Sequence, residues 1–518
     1  MPTAPALHPF IGRDAPWLVD AQARARPDAR FLAWEPLDRA PRTWTYAEFA
    51  HETRRFARGL AARGVGEGDL VILHMANCPE FMFLWFACAR VGAVVVTTNT
   101  RSTEEEMAYF IEHSSPKAAV TQSAFAAMVD RAAKGRLAWI ACADDGGSDE
   151  RPADQLDLAA LPLDEGALPD RRIDPMAANS IQYTSGTTAR PKGVVWTHAN
   201  ALWGAKTTAA HLHLTPRDAT PVFLPLFHTN ALVYSTLSTL WSGGTVVLMP
   251  RFSASRFWEI VVRNGCTWSS MVRFPAQALL DGESPDKHPL RFVGLGAGDV
   301  SAIRDRWGAR ALGWFGMTET VGQCAMSDLE FPGPPGSMGR VSAHYEVAIR
   351  ADDGRDVAPG EIGGLWIRGT PGLTMFQGYL NDPGATAAAF DADGWFETGD
   401  LAKVDADGHL FYVGRAKDML KVGGENVAAL EIESVVLRAR GVREAAVVGR
   451  PDRMRDEVPV AFVVAETPGP EIEAEILRCC EEGLSDFKRP REIIFVDDLP
   501  KGLLDKVLKR ELRDRLLA

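Results

Sequence analysis

The stretch best equipped for chemistry is Ile181-Gln182-Tyr183-Thr184-Ser185-Gly186-Thr187-Thr188-Ala189-Arg190-Pro191-Lys192-Gly193-Val194, a hydroxyl-rich run, punctuated by glycine, that reaches a lysine. Small residues let backbone N–H groups approach a polyphosphate closely, hydroxyls add donors, and Lys192 supplies a positive charge. The spacing is not that of a Walker A loop, which needs Gly-x4-Gly-Lys-Ser/Thr. Gly193 follows Lys192 where a Ser or Thr should sit, and no glycine directly precedes the lysine. A Ser/Thr-rich surface loop is the bland alternative, and it suits a generic polar run better than this ordered one.

Further candidate groups recur downstream. Trp314-Phe315-Gly316-Met317-Thr318-Glu319 closes an apolar stretch with a hydroxyl and a carboxylate. Asp393-Gly394-Trp395-Phe396-Glu397-Thr398-Gly399-Asp400-Leu401 carries Asp400, and Phe411-Tyr412-Val413-Gly414-Arg415-Ala416-Lys417-Asp418 carries Arg415 and Lys417. Leu499-Pro500-Lys501-Gly502-Leu503-Leu504-Asp505-Lys506-Val507 carries Lys506, and Phe227-His228-Thr229-Asn230 ends an apolar run in a histidine. Taken alone, Glu319 and Asp400 read as solvated carboxylates or caps, Phe315 as core and His228 as structural. Lys506 alone is one of several exposed cations between Lys501 and Arg510. Gly294-Leu295-Gly296-Ala297-Gly298 looks like a dinucleotide fingerprint but lacks its final glycine spacing and acid.

The elements that must position these groups alternate in type. Thr45-Tyr46-Ala47-Glu48 opens a helix through Ala62 that stops at Gly64, and Leu70 to Leu73 reads as a strand. Phe81 to Val96 reads as a buried helix, a stop at Gly92 and a β-branched strand; Glu104 to Glu112 is helix and Ala118 to Thr121 strand. After the hydroxyl run, Thr197 to Leu212 is helix and Val222 to Asn230 an apolar strand running into His228. Gly244 to Met249, Ala254 to Asn264 and Phe292 to Leu295 repeat strand, helix and strand. Alternation at this spacing implies mostly parallel sheets covered by helices. Gly339 to Gly378 is rich in short strands and Gly/Pro turns, implying a β-barrel-like subdomain, and the last segment reads as a compact α+β unit. The fold expected is therefore α/β plus α+β, with residues 1–416 as a large domain and 417–518 as a small one.

Bulk composition narrows the classes. A chain of 518 residues supports two or three structural units. The net charge of −12 argues against a nucleic-acid surface. Seven cysteines include no Cys-x-x-Cys pair, which reads as a reduced, cytoplasmic protein without a structural metal. Met1 to Asp14 shows no signal segment, and the most apolar region is broken by Arg90 and Gly92, so no membrane anchor is expected. A homodimer is left open.

In order along nearly the whole chain, these motifs resemble those of the adenylate-forming enzymes, the superfamily of acyl-CoA synthetases, peptide-synthetase adenylation domains and beetle luciferases. The resemblance implies that a carboxylic acid and ATP give an acyl-adenylate and pyrophosphate, and that coenzyme A then takes the acyl group. It implies that Thr184, Ser185, Gly186, Thr187, Thr188 and Lys192 hold the β- and γ-phosphates, and that Thr318 meets phosphate. Glu319, with Thr184, would hold Mg²⁺. Phe315, within Trp314, Gly316 and Met317 and together with Gly296 and Ala297, would sandwich adenine; Asp400 would take the ribose, helped by Arg415. Lys506 would contact carboxylate and α-phosphate, Lys417 would be the hinge, and Gly423 and Gly424 would line a pantetheine tunnel. His228, Thr229, Asn230, Arg273, Phe274 and Gly313 would form the acyl pocket, with His228 at its mouth.

Several positions depart from the family pattern. Ala189 stands where glycine is common, Phe315 replaces tyrosine, Ala429 sits where proline is usual, and Leu504-Asp505 replaces Thr-Gly before Lys506. Gly316 stands where acetate-specific relatives carry a tryptophan, which implies an acid larger than acetate. Arg273 after Met271-Val272 reads as a buried arginine, paired with a protein carboxylate or reading an anionic substrate. The branch most resembled holds carnitine/crotonobetaine, medium-chain and aryl-acid CoA ligases. Loading of a separate carrier protein, or a catalytically weak adenylate-binding relative, stays open as an alternative.

Overall fold

The computed structural model describes residues 8–143, 152, 154–184, 191–296, 301–351, 353–422, 425–452, 456–484, 486–501 and 507–517. They fall into two units, Met1–Glu346 with Arg368–Phe396, and Val347–Ile367 with Glu397–Ala518. The expected boundary at Lys417 lies inside the second unit.

The first unit is built on an eight-stranded sheet in the order Gly378–Tyr379, Lys192–Thr197, Ala178–Thr184, Val94–Thr97, Leu70–His74, Ala118–Gln122, Trp139–Ala143, Leu156–Asp157. From Ala178–Thr184 onward the pairing is parallel, while the first two strands are antiparallel additions. Val94–Thr97 and Ala118–Gln122 are buried at every position, as strands covered on both faces must be. Helices Glu104–Ser114 and Ser123–Ala133 lay Phe110, Ile111 and Val129 against Ile72, Val96, Ala119 and Ile181. Two smaller sheets complete the unit: one in the order Ala219–Val222, Thr245–Leu248, Arg30–Trp34, Arg42–Thr45, the other running from Trp268–Met271 through Phe292–Leu295 and Arg310–Phe315 to Ala325–Met326 and Arg340–Val341.

Local chemistry sets the helix starts. Thr45 accepts the Glu48 N–H while Glu48 reaches back to the Thr45 N–H, so the helix Tyr46–Ala62 begins where two orphan donors are satisfied. Thr103 with Glu106 and Thr197 with Asn200 do the same for Glu104–Ser114 and His198–His211. The helix Pro79–Arg90 is buried on every face from Phe81 onward, which explains the apolar run Phe81 to Ala89. Its terminal Arg90 is buried too, and is held by Asp20 through bonds of 3.0 and 2.7 Å and by the Thr53 hydroxyl at 2.9 Å. That pairing supplies the partner a buried guanidinium requires.

The second unit holds a four-stranded sheet in the order Glu346–Arg350, Gly363–Arg368, Phe396–Val404, Leu410–Arg415. A second sheet runs Glu425–Ala428, Met419–Val422, Asp456–Ala465, Val442–Asp452, with Glu492–Phe495 also on Asp456–Ala465. Alternation decides its two cores: Val447, Ala461 and Val463 meet Ile432, Val436 and Ile476, whereas Ala446, Val448, Val460 and Phe462 meet Leu499 and Leu512. The mixed α/β and α+β organisation expected from the sequence is therefore present.

Two histidines are built into the first unit without charge. His74 ends its strand with Nδ1 at 2.9 Å from the Thr98 hydroxyl, and His198 Nδ1 accepts the Ala15 N–H at 3.4 Å. Burial pushes each down to about 4 from an ordinary 6.5. Protonation thus favours the unfolded chain: their contribution is whole above pH 6.5 and is lost as pH falls toward 4. Unfolding free energy should decline across that window, by up to about 1.4 kcal/mol per pH unit for each histidine. Denaturant titrations at several pH values check this, and His198→Asn should make the decline shallower.

Candidate functional site

Thr184 and Lys192 are direct cross-strand partners, the last and first residues of the antiparallel arms Ala178–Thr184 and Lys192–Thr197. Ser185, Gly186, Thr187 and Thr188, between those arms, lie outside the described residues. Lys192 is therefore carried on rigid backbone: its strand is bonded on one side to Ala178–Thr184 and on the other to Gly378–Tyr379. Its ammonium lies over the Tyr379 ring, 4.6 Å from the centroid, and the Tyr379 hydroxyl donates to Glu319 Oε1 at 3.2 Å. Burial first, then the charge of Glu319, raise the Tyr379 pKa, so the phenol stays a donor.

Glu319 is buried, at 6% exposure, in the short turn Thr318–Thr320. The Lys192 strand and the segment before Gly378 hold that turn: Trp196 Nε1 donates to the Thr318 carbonyl at 2.8 Å, and the Phe376 N–H donates to the Glu319 carbonyl at 2.8 Å. Val321 follows at φ 60°, ψ −57°, with the Gly322 N–H returning to the Thr320 carbonyl at 2.5 Å. A γ-turn of this hand is strained, more so at a β-branched residue, and costs about 1–3 kcal/mol. It persists because Val321 is fully buried and the Tyr345 hydroxyl clamps the Thr320 carbonyl at 2.7 Å. The buried Glu319 carboxylate is a hard-oxygen donor of the kind Mg²⁺ takes together with phosphate oxygens.

Phe292–Leu295 and Arg310–Phe315 are parallel neighbours, so Gly296 follows the first strand and Phe315 ends the second at the carboxyl edge of the sheet, where α/β sheets bind ligands. Gly296 has open space where a side chain would project, and Phe315 is half-buried, so a flat ring can approach both. Ala297 lies outside the described residues. Trp314 instead turns inward: its indole fills the place a Cβ on Gly294 would take. Met317 caps the Thr318–Thr320 turn through its backbone, its N–H donating to the Thr320 hydroxyl at 2.9 Å.

The acyl side departs from expectation in three respects. The strand expected to run into His228 ends at Val222. Pro225 offers no N–H, and the buried Asn77 side chain accepts the Leu226 N–H at 2.8 Å while donating to the Leu224 and Met249 carbonyls at 2.9 and 3.1 Å. That removes this backbone from any ladder and seats half-buried His228 against the Phe227 ring at 4.5 Å. Arg273 is exposed in the first turn of the helix Arg273–Asp281, not buried, because the chain leaves the sheet at Val272. Gly316 does not leave empty space beside it, since a Cβ there would meet the Tyr234 hydroxyl at 2.2 Å. Thr229 donates to Gln182 at 3.3 Å, Asn230 accepts from Ser270, and Asn230–Leu237 is wound as a π-helix, a form common beside functional sites. Gly313 packs against the Ser337 carbonyl with no room for a side chain.

In the second unit Asp400 and Arg415 are cross-strand partners. Arg415 Nε lies 2.9 Å from Asp400 Oδ1, and the Tyr412 hydroxyl donates to the same oxygen at 3.1 Å. A buried carboxylate kept company by a guanidinium can accept from a diol. Lys417 belongs to the turn Ala416–Asp418, which Arg513 of the helix Lys509–Leu517 pairs with through Asp418 at 3.1 Å. Gly423, Gly424 and Lys506 lie outside the described residues. The chain flanking residues 502–506 is anchored: Lys501 pairs with Val507 as a β-bridge, Lys501 Nζ meets Glu444 at 2.7 Å, and Lys509 Nζ meets the buried Glu433 at 2.6 Å.

A family profile described as AMP-binding enzyme matches residues 19–380, and one described as its C-terminal domain matches residues 431–504. The chain belongs to the AMP-binding enzyme family. It is 32% identical over 528 residues to a crotonobetaine/carnitine–CoA ligase of Salmonella paratyphi A (strain ATCC 9150 / SARB42), covering 97% of this chain and 99% of that one. Among solved structures it resembles the o-succinylbenzoate CoA synthetase of Bacillus subtilis with its acyl-adenylate, at a TM-score of 0.84, 29% identity, and coverage of 97% and 99%. It also resembles an anthranilate CoA ligase with anthranoyl-AMP, at a TM-score of 0.86, 25% identity, and coverage of 97% of each chain.

Three side chains that organise this family member's site escaped sequence reasoning. Trp196 reads as an ordinary apolar strand residue, Asn77 as a polar residue before a helix, and Tyr379 as a lone aromatic in a glycine-rich stretch. Only their partners reveal them. Asn77→Ala should cost about 2–3 kcal/mol, because it strands one donor and two acceptors in the interior; chemical denaturation checks it.

Proposed function

We propose that these parts serve one two-step reaction. The chain is an ATP-dependent acid–thiol ligase. It makes an acyl-adenylate with release of pyrophosphate, then transfers the acyl group to coenzyme A with release of AMP. What supports the reading best is the geometry at Lys192: a cation on rigid backbone opposite Thr184, beside a buried Glu319.

In the first step a carboxylate oxygen attacks the α-phosphorus as the bond to the β-phosphate breaks, so anion meets anion. Lys192, Thr184 and residues 185–188 hold the β- and γ-phosphates, and Lys192 takes up charge building on the leaving pyrophosphate. Mg²⁺, when bound by Glu319 and Thr184, neutralises phosphate oxygens as a Lewis acid. Thr318 contacts phosphate; Phe315 stacks on adenine beside Gly296 and Ala297; Asp400, oriented by Arg415, accepts the ribose hydroxyls. Lys506 steers the carboxylate toward the α-phosphate. In the second step the thiol sulfur attacks the acyl carbon and AMP leaves. Residues 417–518 then act as a lid hinged at Lys417, with Gly423 and Gly424 lining the thiol's approach and His228 at the acyl mouth.

The size of the acid is not set at Gly316, where the Tyr234 hydroxyl occupies the space a side chain would take and stands as a polar wall. Exposed Arg273, with Thr229, Asn230 and Gly313, stands as the reader of a polar or anionic group on that acid. Every cysteine is free and buried, which supports a reducing, cytoplasmic setting. No helix among the described residues is long and apolar enough to cross a membrane.

A panel of aliphatic, aromatic, dicarboxylic and betaine-like acids with ATP and Mg²⁺, with and without coenzyme A, tests the reading. Pyrophosphate and CoA-dependent thioester should appear with one acid class. Lys506→Ala and Glu319→Gln should each lower pyrophosphate release at least about a hundredfold. Adenylate without thioester would instead indicate carrier loading, and silence with every acid would remove the ligase reading.

A further inference from the structure

Resting on the assignment of Lys192 to phosphate and Glu319 to metal, we infer that Tyr379 is the positioning residue that sets one against the other. The ring of Tyr379 carries the Lys192 ammonium at 4.6 Å, and its hydroxyl donates to Glu319 Oε1 at 3.2 Å. One rigid side chain therefore touches both the cation and the carboxylate that must flank a polyphosphate. Lysine and glutamate are flexible, and each would otherwise surrender rotamer freedom on ligand arrival. A tyrosine spanning them has two torsions and meets that ordering in advance.

Tyr379 is itself fixed at every level. Its backbone pairs with Val194, two residues from Lys192, its N–H donates to the Thr386 hydroxyl at 2.8 Å, and the next N–H, Leu380, reaches the Gly193 carbonyl at 2.7 Å. Its ring packs on Phe376 at 4.8 Å, and the Phe376 N–H holds the Glu319 carbonyl at 2.8 Å. Side chain and main chain of the segment 376–380 thus grip both Glu319 and the Lys192 strand. The hydrogen bond to an anion also enriches the ring with electron density, which strengthens its hold on an ammonium.

The two contacts separate by mutation. Tyr379→Phe keeps the ring and removes the bond to Glu319; Tyr379→Leu removes both. Mn²⁺ binding, read by electron paramagnetic resonance on the full chain with a non-hydrolysable ATP analogue, should weaken about fivefold to tenfold in Tyr379→Phe, with analogue affinity in the absence of metal unchanged. Tyr379→Leu should weaken the analogue as well, and neither variant should alter the KM for the acid. Glu319→Gln is the control for the metal assignment. Parental Mn²⁺ affinity in Tyr379→Phe, with Glu319→Gln impaired, overturns the positioning role alone. Parental affinity in Glu319→Gln overturns the metal assignment and the positioning role with it. Equal losses for metal, nucleotide and acid in Tyr379→Phe, with a lower Tm, would assign the residue to folding only and also overturn the proposal.

Discussion

The structure depends on the antiparallel strand Lys192–Thr197 being held from both sides and from one end. Joining a carboxylate to a polyphosphate brings like charges together, so the cation and carboxylate proposed to serve that step gain from being in place before the reactants arrive. A lysine on a mobile loop would not meet that demand. Here its strand is bonded to Ala178–Thr184 and to Gly378–Tyr379, and Trp196 reaches across to the Thr318 carbonyl. The turn carrying Glu319 is thereby fastened to the element carrying Lys192, although more than a hundred residues of chain separate them.

Rigidity at this place has local costs, and they cluster around the site. Val321 keeps a left-handed φ, the Asn230–Leu237 segment is underwound to π geometry, and Gly313 and Gly316 are packed where no Cβ fits. These features persist because burial and hydrogen bonds over-determine them, as with Tyr345 on Thr320 and Asn77 on the backbone before His228. The second unit follows the same logic at Asp400, whose carboxylate is oriented by Arg415 and Tyr412.

Much of this was legible in sequence because it rests on local rules. Hydrophobic period and capping residues located the helices Tyr46–Ala62 and Ala254–Asn264 and the strand Phe292–Leu295 to within a residue or two. The ordered motifs named the family, since hydroxyls, glycines and lysine in one sequence order leave few other chemistries. The hairpin register that sets Thr184 opposite Lys192, the cross-strand pairing of Asp400 with Arg415, and the bond from Tyr379 to Glu319 were decided only by tertiary structure. So were the exposure of Arg273, the filling of the space beside Gly316 by Tyr234, and the early end of the strand before His228. Composition and spacing determine which groups a chain possesses and which local conformations it favours. Distances between groups remote in sequence depend on how sheets and turns pack, and no local pattern encodes them.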